Sequence, residues 1–288
     1  MLQQLLNGLS IGSVYASLAV GFSLIFGVLD FPHFAHGITM MLAAYCGFFT
    51  VTVTSSLPVA IFVVIACGGI ISVLMDAFGY RFLRKKKVPR IYYLALSSGL
   101  CILFENLIIN TVGASFLVYP SIFPQNVLGF NGLTFSEMDL IAFAMSIVLL
   151  TSLSFVIYRT PLGLSVRAAS MNMEATELMG VNLNKTMCFV FLIAGIAAGF
   201  SGIILGVKYT VYPQMWSITN KVFIATVLGG MGSMLGAIVA SLIIGVMETF
   251  ITAYVSSEMS SLVVFVLLVL ILVVRPQGLF GKIVEDKA

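Results

Sequence analysis

Few residues in this chain have the types and spacing that chemistry needs. Both histidines fall in one stretch, Asp30-Phe31-Pro32-His33-Phe34-Ala35-His36-Gly37. His33 and His36, three residues apart, could begin a metal site, or with Asp30 a general-base set. No cysteine, glutamate or further histidine stands near them, so capping of a polar loop is the simpler use. Pro32 removes a backbone donor and Gly37 admits unusual dihedrals, which marks a break between two helices. A second unusual stretch is Gly229-Gly230-Met231-Gly232-Ser233-Met234-Leu235-Gly236. It is glycine-rich, but no Lys follows it and no soluble strand precedes it, as a phosphate-binding loop would require. The chain is therefore not expected to hydrolyse ATP or bind a cofactor itself. Glycines at this density break a helix or let two helices approach closely. Glu105 and Glu248 lie in apolar surroundings, where acids are functional by default, and in an ion-driven carrier they would be proton carriers. Cys46, Cys67, Cys101 and Cys188 show no paired spacing and read as packing residues.

The elements that must position these residues are apolar. Of 288 residues, 60% are hydrophobic and 9% charged, which leaves a soluble domain too little polar surface. The runs Leu5–Leu29, Ile38–Val53, Val59–Met75, Ile91–Val112, Leu140–Tyr158, Met187–Val207, Val222–Tyr254 and Ser261–Val274 approach or exceed the ~20 residues of a spanning helix. The expected fold is all-α and polytopic, one transmembrane domain over 1–288, with about eight spanning segments and two broken or re-entrant regions. The first run lacks a basic start and a small-residue cleavage site, so it reads as a span rather than a removed signal.

Lys and Arg concentrate in Arg81–Arg90, in Arg159–Lys185 and in Arg275–Lys287. Basic short loops stay cytoplasmic. That rule puts the N-terminus outside, the C-terminus inside, and an outer loop over about 113–139. Val222–Tyr254 then has both ends outside and must be two helices meeting at the glycine cluster. The net charge of +3 is explained by topology and gives no reason to invoke nucleic acid.

Thr160–Thr186 is too polar to span, yet it has helical character from Pro161 to Gly180, whose position fits a left-handed helix cap. Arg167, Glu174, Glu177 and Lys185 mark it as a surface helix. Arg167 and Glu174, seven apart, should share one face, while Leu164 and Leu178 should touch the protein's own helices.

Several short motifs recur in order along nearly the whole chain. They are Gly12-Ser13-Val14-Tyr15-Ala16, Phe34-Ala35-His36-Gly37, Thr160-Pro161-Leu162-Gly163 with Arg167-Ala168, Met179-Gly180-Val181-Asn182, Ala194–Gly202, Gly229–Ser233 and Arg275-Pro276-Gln277-Gly278-Leu279-Phe280-Gly281. In these the chain resembles the permeases of branched-chain amino-acid ABC importers, of the smaller permease type. The resemblance implies a bacterial inner-membrane location and a homologous permease subunit as partner. It also implies two ABC ATPase subunits carrying ATP and Mg, and a periplasmic substrate-binding protein. It makes about 163–180 a coupling helix, with Gly163, Arg167, Ala168, Asn172, Glu174 and Gly180 as its coupling residues. Imported substrates would be branched-chain or other neutral amino acids, with urea or short amides as the alternative. The candidate translocation path is Phe34, His36, Gly37, Glu105, Gly230, Gly232 and Ser233, and the two broken stretches are expected to meet near mid-membrane. Glu105, ~21 Å along its helix, is expected to be a protonated acid bonded to a neighbouring helix, to line an aqueous route, or to meet a substrate ammonium group.

Overall fold

The computed structural model describes residues 1–120, 127–130, 133–275 and 277–280. Gln125, Asn126, Pro276 and most of the last basic cluster lie outside them. The chain is an all-α polytopic membrane protein. Among the described residues, eight helical segments are long and apolar enough to cross a membrane. In order they are α1 (Leu2–Leu29), α2 (Ala35–Thr54), α3 (Leu57–Met75) continued by α4 (Arg81–Lys85), α5 (Arg90–Thr111), α6 (Glu137–Arg159), then α9 (Leu183–Lys208), α11 (Met234–Tyr254) and α12 (Ser257–Val274). Between them lie two short helices, α7 (Pro161–Met171) and α8 (Met173–Leu178), and the twelve-residue α10 (Ile218–Gly229).

Small residues set the packing. A Cβ on Gly12 would stand 2.9 Å from Leu242 Cα, and one on Gly245 2.4 Å from Gly12 Cα, so α1 and α11 run against each other at backbone contact. Gly68 of α3 meets Gly195 and Gly199 of α9 in the same way. In lipid there is no hydrophobic drive between helices, so close van der Waals contact through small side chains takes its place. α1 and α9 are buried along most of their length, whereas α5, α6 and α12 present apolar side chains such as Ile102, Val148 and Phe265 outward.

Arg84 holds Asp76 by two bonds, 2.5 and 3.0 Å. A single π-helical turn, Asp76–Tyr80, joins α3 to α4 between them. Arg90 at the start of α5 pairs with Asp30 at the end of α1, 2.5 Å apart. These residues define a basic end of the bundle. At the opposite end, Lys208 is bonded to Asp139, which also accepts from Ser10. The segment after α5 makes an antiparallel bridge from Leu117 to Val211. It also holds a small hairpin, β1 (Val127–Phe130) with β2 (Leu133–Ser136), in register Val127 to Ser136. This hairpin was not expected, and α6 begins at Glu137, slightly inside the expected loop boundary of 139.

Candidate functional site

The break after α1 is a re-entry. Asp30 ends the helix in a left-handed conformation, φ 55°, and sits at the basic end beside Arg90. The chain then climbs back along the bundle before α2 starts. Ala35 N–H donates to Ser97 Oγ at 2.9 Å, seven residues into α5 and so ~10 Å above Arg90. His36 Nε2 bonds Leu18 O at 3.1 Å, twelve residues up α1 from Asp30, and its ring rests on Gly21. His33 is fully buried among Phe31, Tyr80 and Phe191, with neither ring nitrogen bonded.

A second interruption, not read from the sequence, faces the first. After α9 the chain does not enter a helix at the far end. Val211 pairs with Leu117, Tyr212 is extended, and Pro213–Ser217 form a 3-10 turn before α10 begins. The turn reaches down to the start of α2. A Cβ on Gly37 would lie 2.1 Å from Thr219 Oγ1 and 2.4 Å from Trp216 O, so Gly37 is required by this contact. Trp216 Nε1 donates to Glu105 Oε2 at 2.7 Å. Phe223 of α10 packs edge-on to Phe22 and Phe34. Phe34, Gly37 and Glu105 are thus brought to one place, around Trp216, Thr219 and Phe223, whereas the His36 ring is turned the other way, onto α1. Pro213 was the available signal for this turn. It was missed because the flanking apolar runs were read as ending outside the membrane.

Polar side chains surround this point on the exposed side. Ser98 and Asn106 of α5, Gln214 and Ser217 of the turn, and Asn220 of α10 are all exposed. They form a strip, interrupted on α5 by exposed Ile102 and Leu103, near the Glu105–Trp216 bond.

Gly230, Gly232 and Ser233 are elsewhere, which corrects the expectation that the two glycine-containing breaks meet. α10 separates them by its twelve residues, ~18 Å, and ends at the basic end. There Gly232 lies against Gly27, two residues from the end of α1. Gly230 and Gly232 have φ of 104° and 80°, and Ser233 Oγ caps α11 by accepting from Gly236 N–H. A Cβ on Gly229 would stand 2.2 Å from Gly236 C. The glycine cluster is therefore a tight turn between two packed helices. The tail fastens it, with Leu279 N–H donating to Leu228 O and Phe280 N–H to Gly229 O.

The polar segment after α6 is a hook of two helices, not one. Asn172 leaves the helical region, ends α7, and caps α8 by accepting from Ala175 N–H at 2.9 Å. The break removes the shared face expected for Arg167 and Glu174. Arg167 lies 5.6 Å from the Tyr158 ring centroid. Gly163 is buried at the elbow, where a Cβ would meet Ile157 O at 2.3 Å. Gly180 has φ 85° just beyond α8, as a helix-terminating glycine should. Val166, Ala169 and Thr176 face inward. Leu164 and Leu178, expected to do so, do not: Leu164 is 59% exposed, and Met171, Leu178 and Met179 are 84–89% exposed. Asn172, Glu174 and Glu177 line a cavity between the hook and the basic end, together with Asp30, Arg84 and Arg90.

Comparison with known proteins gives these features a context. A family model described as "Branched-chain amino acid transport system / permease component" matches residues 4–272. The high-affinity branched-chain amino acid transport system permease protein BraD of Pseudomonas aeruginosa is 31% identical, over 98% of this chain and 96% of its own length. LivH of Escherichia coli, a permease protein of the same description, is 29% identical over the same shares. The ribose import permease protein RbsC of Haemophilus influenzae matches over 44% of the chain, at 27% identity. No solved structure matches it. The chain belongs to the branched-chain amino acid transport system permease family.

Proposed function

We propose that this chain is a transmembrane permease subunit of a binding-protein-dependent ABC importer for branched-chain or other neutral amino acids. Similarity to permeases of that description over nearly the whole chain carries the reading. The basic end faces the cytoplasm of a bacterial inner membrane, by the rule that short basic loops are retained there. The N-terminus is then outside and the C-terminus inside. A homologous permease subunit packs against the face bearing the polar strip, because polar side chains at membrane depth need protein or water beside them. Two such subunits enclose the path at their shared face, with Phe34, Gly37, Glu105 and Trp216 near its middle.

The hook supports attachment to separate ATPase subunits. Its exposed tip is apolar (Met171, Leu178 and Met179), and a patch of this kind marks a docking surface. ATP and Mg then belong to those subunits, and this chain transmits their motion without catalysing a reaction. A periplasmic binding protein delivers substrate to the far end. Mild solubilisation with a tag on this chain is expected to co-purify ATPase subunits, and cells carrying the assembly should take up labelled leucine in preference to urea. Urea uptake without leucine uptake would favour the amide reading, and a tagged chain that retains no ATPase would overturn the importer assignment.

A further inference from the structure

The helix that begins as α3 is longer than a bilayer needs. Leu57 to Lys85 is 29 residues, ~43 Å at 1.5 Å per residue, against a hydrocarbon core of ~30 Å. The surplus is α4 with the turn before it, so the stretch from Phe78 to Lys86 stands at the level of phospholipid headgroups at the basic end. Six cations crowd Arg81–Arg90, and the structure uses them in two ways. Arg84 is paired with Asp76 and Arg90 with Asp30. Arg81, Lys85, Lys86 and Lys87 have no carboxylate at ion-pair distance among the described residues. Lys87 has a left-handed backbone, φ 48°, and lines the cavity that Glu174 and Glu177 of the hook also line. Arg81, Lys85 and Lys86 are left exposed.

The surface below these three is apolar. Ile70, Leu74, Phe78 and Phe82 recur every four residues and all are exposed, Phe78 to 83%. Phe78, Arg81, Phe82 and Lys85 stand at i, i+3, i+4 and i+7, the spacing of one helix face. Lys86 holds its ammonium over the Phe82 ring, 4.4 Å from the centroid. One continuous face thus passes from aliphatic side chains, through two phenyl rings, to three cations without counter-charges. A phospholipid with a negative headgroup has the same order, acyl chains first and charge last. An acidic surface on a soluble protein could meet the cations, but Ile70 and Leu74 lie at hydrocarbon depth, beyond its reach. A zwitterionic headgroup carries its own cation and gains less from these three.

We propose that the exposed face of α4 is a site for an anionic phospholipid. Arg81, Lys85 and Lys86 hold its phosphate, and its upper acyl chains lie on Phe78 and Phe82. Arg84 and Arg90 serve the fold instead, since their charges are already matched. Lys and Arg clusters at the end of a spanning helix are drawn to anionic leaflets over a distance that salt shortens, so occupancy of the site depends on both lipid charge and ionic strength.

The test places a reporter on this face. Phe78→Trp in the full chain, reconstituted into phosphatidylcholine vesicles, adds one emitter to Trp216, the one native tryptophan. The Trp216 signal is measured in the unaltered chain and subtracted. Brominated phosphatidylglycerol should quench the added emission at least about threefold more than brominated phosphatidylcholine at equal mole fraction. The excess should vanish at ~1 M salt, where the screening length is ~3 Å. It should also vanish when Arg81, Lys85 and Lys86 are all changed to Gln, and persist in Lys87→Gln. If the triple change prevents folding, Lys86→Gln alone, just past the end of α4, should still reduce the excess, and no reduction would overturn the site. Equal quenching by the two lipids would overturn it, as would an excess that survives the triple change. No quenching by either lipid would show that protein covers this face, with the same consequence. Loss of the excess on adding inorganic phosphate, at an ionic strength matched with chloride, would make a soluble anion the occupant and also overturn the assignment.

Discussion

At the residue scale, the structure separates glycines that the sequence presents alike. Gly37 has no room for a side chain, because the Trp216 carbonyl and Thr219 hydroxyl occupy the place of its Cβ. Gly99 of α5 meets nothing within 4 Å. Overpacking a tight contact costs about 1–3 kcal/mol. Gly37→Ala is therefore expected to lower the thermal midpoint of the purified chain and impair uptake, whereas Gly99→Ala should leave the midpoint unchanged. An equal response from both would remove the contact as the cause. Glu105 is subject to a related test. Its acceptance of the Trp216 N–H makes it a bridge between α5 and the turn before α10. Glu105→Gln keeps an acceptor, and uptake should persist. Glu105→Leu leaves the indole N–H without its partner, which costs about 1–3 kcal/mol, and should shift the Trp216 emission together with the melting transition. If Glu105→Gln selectively abolishes uptake while emission and stability stay unchanged, the carboxylate charge serves transport itself.

At the element scale, the hook is where sequence and structure part most clearly. Its presence was legible: Pro161 starts it, Gly180 follows its end, and its polarity forbids a span. Its direction was not. The apolar residues Leu164 and Leu178 were assigned inward by the habit that apolar faces bury. The structure turns Val166, Ala169 and Thr176 inward and leaves the larger side chains free. The reason is steric, since Gly163 at the elbow brings α7 within backbone distance of Ile157, and only small side chains fit beneath it. Asn172, given by the resemblance only as a coupling residue, is also the cap of α8, which the broken backbone reveals. A surface built to meet another subunit looks in sequence like one built to meet its own core. Leu178→Asp and Met171→Asp are therefore expected to leave helical content and melting unchanged, but to reduce ATPase co-purification at least several-fold. Interface anchors cost upwards of ~1 kcal/mol when truncated. Retention of the ATPase by both variants would show that the tip is not the docking surface. The 3-10 turn at Pro213–Ser217 is the complementary case. A single proline in an apolar run signals a break, but the depth of that break follows from contacts with α2 and α5, residues more than a hundred positions away.

At the scale of the whole molecule, the exposed surface is not uniform. α12 presents Leu262, Phe265, Val269 and Val273 outward, a face suited to lipid. The face made by α5, the turn and α10 presents Ser98, Asn106, Gln214, Ser217 and Asn220. Asn106 is sixteen residues along α5 from Arg90, ~24 Å, and Ser98 is ~12 Å along it, so the strip runs through the depth of a ~30 Å hydrocarbon core. Asn106 Nδ2 donates to Ile102 O within α5, which lowers its cost in lipid, but the other polar side chains held against acyl chains would carry a desolvation cost. On the proposed function, the strip faces a partner subunit or an aqueous route. Cysteine accessibility separates these from lipid exposure. In a chain lacking Cys46, Cys67, Cys101 and Cys188, Asn106→Cys and Asn220→Cys are expected to react with an impermeant thiol reagent added outside. Leu262→Cys should not, because a thiol in hydrocarbon stays protonated and unreactive. Within the assembled transporter, ATP with vanadate should change the two strip rates in the same direction, as a path that opens to one side at a time requires. Strip positions that react no faster than Leu262→Cys, in the free chain and in the assembly alike, would place the strip away from water. The path would then have to be sought on another face of the bundle.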